Sequence, residues 1–216
     1  MYKNIKKQTN KKKAFTLIEA LVAISILMIA IASPMTLAQK GLSTATLSKD
    51  QMIASFLAQD GIEAVKNIRD QIAVRGSATN DWLDLLSNCT CSSDADCNFD
   101  SSQLVTFCTI DTTASIWNSS TIQRFTGIAN APKLKKSYYT DPSTNVKNFI
   151  KYDYSGTEGA EDSIFYRYIN IRETPMIDES GKHNEAVVSV RISWGSPLGV
   201  QKIDIQDFIY NYSENL

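Results

Sequence analysis

The sequence predicts an α+β protein, with one long N-terminal helix packed on a C-terminal antiparallel sheet. Three observations predict it. Phe15 to Ala38 is a nearly unbroken apolar run, Ile53 to Ile72 carries apolar residues at steps of three and four, and from Asn148 onwards the periodicity becomes two.

The elements follow in chain order. Residues 1–14 hold Lys3, Lys6, Lys7, Lys11, Lys12 and Lys13 and no acid, which makes them an addressing segment. The whole chain of 216 residues has a formal charge of −1, and removing those six lysines leaves 16 basic against 23 acidic residues, or −7. The body is therefore acidic, without a basic stripe for nucleic acid. An apolar fraction of 43% and a charged fraction of 21% are those of a folded protein, not a disordered one.

Residues 15–38 make a helix of roughly 36 Å at 1.5 Å per residue, longer than the roughly 30 Å hydrocarbon core of a bilayer. The lysine cluster before it, with none just after, predicts a cytoplasmic N-terminus and an exterior location for everything after about Lys40. The only charge in the run is Glu19, and an acid within a spanning helix costs about 2.5–3.5 kcal/mol unless something offsets it. Cleavage just before Phe15 would supply an amine one helical turn away, and a neighbouring copy could supply the same charge.

These residues, Lys11-Lys12-Lys13-Ala14-Phe15-Thr16-Leu17-Ile18-Glu19, resemble the prepilin-type signal of type IV pilins and type II secretion pseudopilins. The resemblance covers about 25 residues. It implies that a membrane prepilin peptidase cuts between Ala14 and Phe15 and N-methylates Phe15. It further implies that Glu19 registers each subunit in a helical filament and that the fold is pilin-like. The residue before the cut, usually Gly in the family, is Ala14, and the helix proline is Pro34, slightly early. EALVAISIL is most similar to minor pilins and I- or V-type pseudopilins. The implied partners are the inner membrane, the peptidase and other pilin or pseudopilin subunits. An ordinary signal peptide is the competing reading, since Ala30-Ile31-Ala32 offers a cleavage site that would leave Ser33 first. The rival function is then a secreted or anchored adhesin-type binding domain that does not polymerise.

Residues 39–76 read as an amphipathic extension of the same helix, with Ile53, Phe56, Leu57, Ile62, Val65, Ile68 and Ile72 as its buried stripe. Arg75 is its expected end, at Gly76. Gly41 and Gly61 soften it by about 1 kcal/mol each. Glu63 with Lys66, and Lys66 with Asp70, read as spaced pairs on a solvated face.

Residues 77–147 read as a variable loop region, with only loops and short elements between Thr109 and Thr144. It contains Cys89, Cys91, Cys97 and Cys108, an even number on the predicted exterior side, which argues for two disulfides. Zinc sites favour CxxC pairs, whereas here CxC is followed by gaps of five and ten. A Cys89–Cys91 bond would be strained, so two connectivities remain. The nested one, Cys91–Cys97 inside Cys89–Cys108, is preferred. Asp94, Asp96, Asn98 and Asp100 alternate like the start of a calcium loop. Phe99 stands where its glycine belongs and no glutamate closes it, so a polar turn is expected and calcium remains a minor alternative.

Residues 148–216 read as the sheet: Phe149 to Tyr154, Ser163 to Glu173, Ala186 to Trp194 and Gly199 to Tyr212. Turn signals at Ser155-Gly156, Ser180-Gly181 and Gly195–Gly199 separate them and imply an antiparallel meander. Ala186, Val188, Val190, Ile192 and Trp194 define one apolar face, and the amphipathic helix is its expected cover.

Nothing in the sequence points to an enzyme. There is no GxSxG elbow, phosphate-cradling loop or HExxH, and the sole histidine, His183, lies in a polar loop. No cofactor, nucleic acid or small-molecule substrate is expected.

Overall fold

The computed structural model describes residues 16–75, 81–100, 105–112, 121–156, 159–177 and 183–211. By internal contacts the chain divides into two units, Met1–Ser48 and Lys49–Leu216. Helix α1, Leu17–Arg75, supplies the described part of the first unit and opens the second. In the first unit Pro34 removes one backbone donor from within the helix. Around it the Ser33 hydroxyl donates to the Ile29 carbonyl at 3.3 Å and the Thr36 hydroxyl to the Ser33 carbonyl at 2.9 Å, so these polar side chains are satisfied on the helix itself.

In the second unit a seven-stranded antiparallel sheet is built from β1 (Thr106–Ile110), β2 (Ile122–Thr126), β3 (Lys133–Thr140), β4 (Lys147–Asp153), β5 (Glu161–Glu173), β6 (Glu185–Ser196) and β7 (Gly199–Tyr210). The central strand is β5. Along one edge it pairs with β6, from Phe165↔Trp194 to Glu173↔Ala186, and β7 continues the meander. Along the other edge it pairs first with β3, at Lys136↔Glu161, and further on with β1, at Cys108↔Ile169.

The sheet therefore starts well before Asn148, and the stretch expected to be loops contributes β1, β2 and β3. Each lacks a readable alternation for a physical reason. All five residues of β1 are buried. Cys108 and Ile110 pack in the main core, while Phe107 joins Val105, Phe99 and Tyr168 in a second cluster. A strand covered on both faces shows no polar/apolar contrast. β2 has only five residues, and in β3 the register shifts between Ser137 and Tyr138, so its alternation is interrupted. The turn between β6 and β7 is also tighter than expected: the strands run through Gly195 and Ser196, leaving Pro197 and Leu198 between them. Gly199 follows at φ 101°, a left-handed geometry suited to glycine. Ser180-Gly181 lies outside the described residues.

The core lies between the α1 segment of this unit and the sheet. On the sheet side it uses Phe165, Ile169 and Ile171 of β5, with Ala186, Val188, Val190, Ile192 and Trp194 of β6. The β6 residues are those of the predicted apolar face. On the helix side the stripe differs from expectation. Ala54, Ala58, Gly61 and Ala64 are buried along with Leu57, Ile62, Val65, Ile68 and Ile72, whereas Phe56 is 65% exposed. Small residues let the helix axis approach the sheet, and a Cβ on Gly61 would lie 3.1 Å from Val190 Cγ1 and 3.3 Å from Arg167 Cδ. Burial of each large side chain contributes about 1.5–3 kcal/mol. Lys66 reaches Asp207 on β7 instead of pairing along its own helix, and Asp70 is bonded by Arg69.

Candidate functional site: the apolar N-terminal helix and its acid

Thr16 stands just ahead of α1, and its carbonyl accepts the amides of Glu19 at 3.0 Å and Ala20 at 3.2 Å. Glu19 therefore sits in the first helical turn. There the unsatisfied amides and the positive end of the helix dipole favour a carboxylate, an effect of about 0.3–1 kcal/mol. That is well short of the cost of an acid in hydrocarbon, so a further positive group is needed. Ala14 and Phe15, the expected cleavage and methylation positions, lie outside the described residues.

On either side of the acid, Leu17, Ile18 and Ile29 are each at least 70% exposed. This is the one helix among the described residues long and apolar enough to cross a membrane, and none of its apolar window is buried. A surface of this size and composition needs lipid or other apolar helices around it.

The cysteines form two disulfides, Cys89–Cys108 and Cys91–Cys97, with Cα separations of 4.7 and 5.6 Å. This is the nested connectivity. Cys89 ends a short 3₁₀ segment, Asp84–Cys89, in the helix-side core. Thr90 then forms a parallel bridge with Ile171, and the Cys91 amide donates to the Ile171 carbonyl at 3.0 Å. A four-residue helix α2 (Asp94–Cys97) follows, and Phe99 comes to rest in the second cluster, on the opposite sheet face. The segment thus passes round the side of β5 and ties both faces.

Its outer end is fixed by charge. Arg191 on β6 donates to Asp100 at 2.8 and 3.1 Å and to Asp204 at 2.6 Å, and Lys202 donates to Asp100 at 2.6 Å. The Arg191 guanidinium also lies 5.0 Å from the centroid of Phe99. Hydrogen bonds from Arg191, then Lys202, hold the Asp100 carboxyl well below the usual carboxylate range. Burial alone would lower the Arg191 pKa, but its bonds to Asp204 and Asp100 outweigh that and raise it. Of the calcium-like run, Asp100 is already neutralised by two cations, the Asn98 side chain accepts the Asp100 amide, and the Asp94 side chain lies outside the described residues. Among the described residues no group of three or more His, Cys, Asp or Glu could hold a metal ion.

Two features escaped sequence reading. Arg167 is only 1% exposed and points at the helix, donating to Asp60 at 2.6 Å and to the carbonyls of Leu57 and Ile110 at 3.4 and 2.8 Å. The Tyr154 hydroxyl donates to the Arg167 carbonyl at 3.2 Å, and burial, partly opposed by Arg167, pushes its pKa up to about 12. A signal for Arg167 existed: it is the one charge in the alternating series Phe165, Arg167, Ile169, Ile171. His183, in a polar loop by sequence, is half-buried, its Nδ1 lying 2.7 Å from the Thr174 carbonyl. The Trp82 indole donates to the His183 carbonyl at 2.8 Å.

An apolar, membrane-length N-terminal helix with an acid in its first turn, continued into an α+β unit, is a pilin-like arrangement and fits a single-pass membrane anchor. The family model described as the prokaryotic N-terminal methylation motif matches residues 9–33, which include Ala14, Phe15 and Glu19. That match supports the type IV pilin and pseudopilin family and a substrate of prepilin peptidase. Neither the curated proteins nor the solved structures gave a match.

Proposed function

We propose that the chain is a minor pilin or pseudopilin, a structural subunit of a type IV pilus or of a type II secretion pseudopilus. The observation that carries this reading is Glu19, alone in an exposed apolar helix and inside the methylation motif. Prepilin peptidase cuts between Ala14 and Phe15 and methylates the new amine, which keeps its positive charge. Before assembly the helix resides in the inner membrane with its N-terminus cytoplasmic and the disulfide-bonded unit outside. In the filament the Phe15 amine of one copy meets the Glu19 carboxylate of another, in a medium where water no longer screens the pair. Apolar helix packing supplies most of the cohesion, and the charge pair sets register. The sequence EALVAISIL favours a minor over a major subunit.

Replacing Glu19 with Ala tests the role directly. Fractionation and pull-down with filament components should show at least about a tenfold loss of incorporation, the effect of removing one charge-assisted contact of roughly 1.4 kcal/mol or more. Membrane insertion should be unchanged. Incorporation at the normal level would remove the assembly role assigned to Glu19.

A further inference from the structure

The two disulfides differ in a way that the assembly role does not use. Both cysteines of Cys89–Cys108 are fully buried, packed with Leu86, Ile110 and Ile169. Cys91 and Cys97 are only half-buried, and each faces open space. Cys91 lines a cavity of about 750 Å³ with Ser92, Thr174 and His183, and Cys97 lines a polar one of about 310 Å³ with Asn170 and Arg191. Arg172 lines both, beside Glu173 in the first and with Asp100 and Asp204 in the second, so charge does not bar a thiolate from either. Access is the condition for thiol–disulfide exchange that Cys91–Cys97 meets and Cys89–Cys108 does not.

We propose that Cys91–Cys97 is a selectively reducible bond, and that the turn it closes is a redox-sensitive cover over the outer face of β5 and β6. A thiolate of a small dithiol attacks one of the two sulfurs and the S–S bond breaks to give a mixed disulfide. The second thiolate of the dithiol resolves it, leaving Cys91 and Cys97 as thiols and the reagent as its own disulfide, so two electrons pass to the protein. Once opened, the turn is held by non-covalent contacts alone, among them the Cys91 amide donating to the Ile171 carbonyl at 3.0 Å, the Asn170 amide donating to the Cys97 carbonyl at 2.7 Å, and the Asp100 pairs with Arg191 and Lys202. The inner bridge stays closed because no reductant reaches it without unfolding the core, so reduction loosens the cover and leaves the helix–sheet packing intact. This inference concerns the disulfide unit alone and stands whether or not Glu19 acts in assembly.

The test uses the full chain in detergent micelles at neutral pH, without denaturant. Samples are exposed to graded dithiothreitol, quenched with N-ethylmaleimide and read by peptide mass spectrometry. Cys91 and Cys97 should be labelled at least about tenfold faster than Cys89 and Cys108. Simultaneous labelling of all four, earlier labelling of Cys89 and Cys108, or no labelling until the protein melts would overturn the proposal. A C91S/C97S double variant provides the second reading. Its Cys89–Cys108 bond should resist reduction as in the parent, and a bond that opens as readily as in unfolded chain would show that the two bridges are not separable.

Discussion

Gly61 and Arg167 show how closely single positions set the helix–sheet contact. Gly61 is buried against Val190, and Arg167, beside it, bonds across to Asp60 on the same helix. Arg167 is almost fully buried while Asp60 remains 46% exposed, so one end of the pair still reaches water. Gly61→Val would place branched methyls where even a Cβ is tight, and overpacking of this kind costs about 1–3 kcal/mol. We expect thermal or denaturant unfolding of the full chain in micelles to show that loss. An unchanged midpoint would mean that the helix can shift away from β6 at no cost. Gly61 reads in sequence as a mere helix softener, because its role depends on what faces it across the core.

Among the elements, the segment from Asp84 to Asp100 is held at its outer end by charge. Asp100 is held in its ionised form by Arg191 and Lys202, and Asp207 is lowered similarly, chiefly by its hydrogen bond from Lys66. Both carboxyls have a folded pKa below the unfolded value of about 3.9. The native state thus binds fewer protons, and these contacts contribute stability that is present above about pH 4 and lost as pH falls through the folded values. The effect is modest because Asp100 is 58% exposed and screened by water. Melting temperature followed by circular dichroism should fall below about pH 4, and Asp100→Asn should flatten that slope. An equal slope in the variant would remove Asp100 from the account. The strands β4 to β7 are legible in sequence because their runs are rich in β-branched and aromatic residues: β7 alternates half-buried with exposed positions, and β6, though largely covered on both faces, still alternates core residues with more polar ones. Those of β1 and β3 are not, since burial on both faces hides the first and a register shift breaks the second. Two facts about the cysteine segment, that it rounds the side of β5 and that Arg191 anchors it, arise from pairings between residues 80 and 91 positions apart, which no local pattern encodes.

At the scale of the whole molecule, the long helix and the α+β class follow from periodicity alone. The candidate site is legible for a different reason: a single carboxylate in a membrane-length apolar run is costly enough to demand explanation, and the residues around it carry a recognisable motif. The central claim is that a new chain end at Phe15 supplies the charge that Glu19 lacks. Intact and peptide mass spectrometry of the protein isolated from membranes tests it most directly. The account predicts a chain that begins at Phe15 and carries one added methyl group. A protein retaining its lysine leader, or one beginning at Ser33 or elsewhere beyond Glu19, would contradict it.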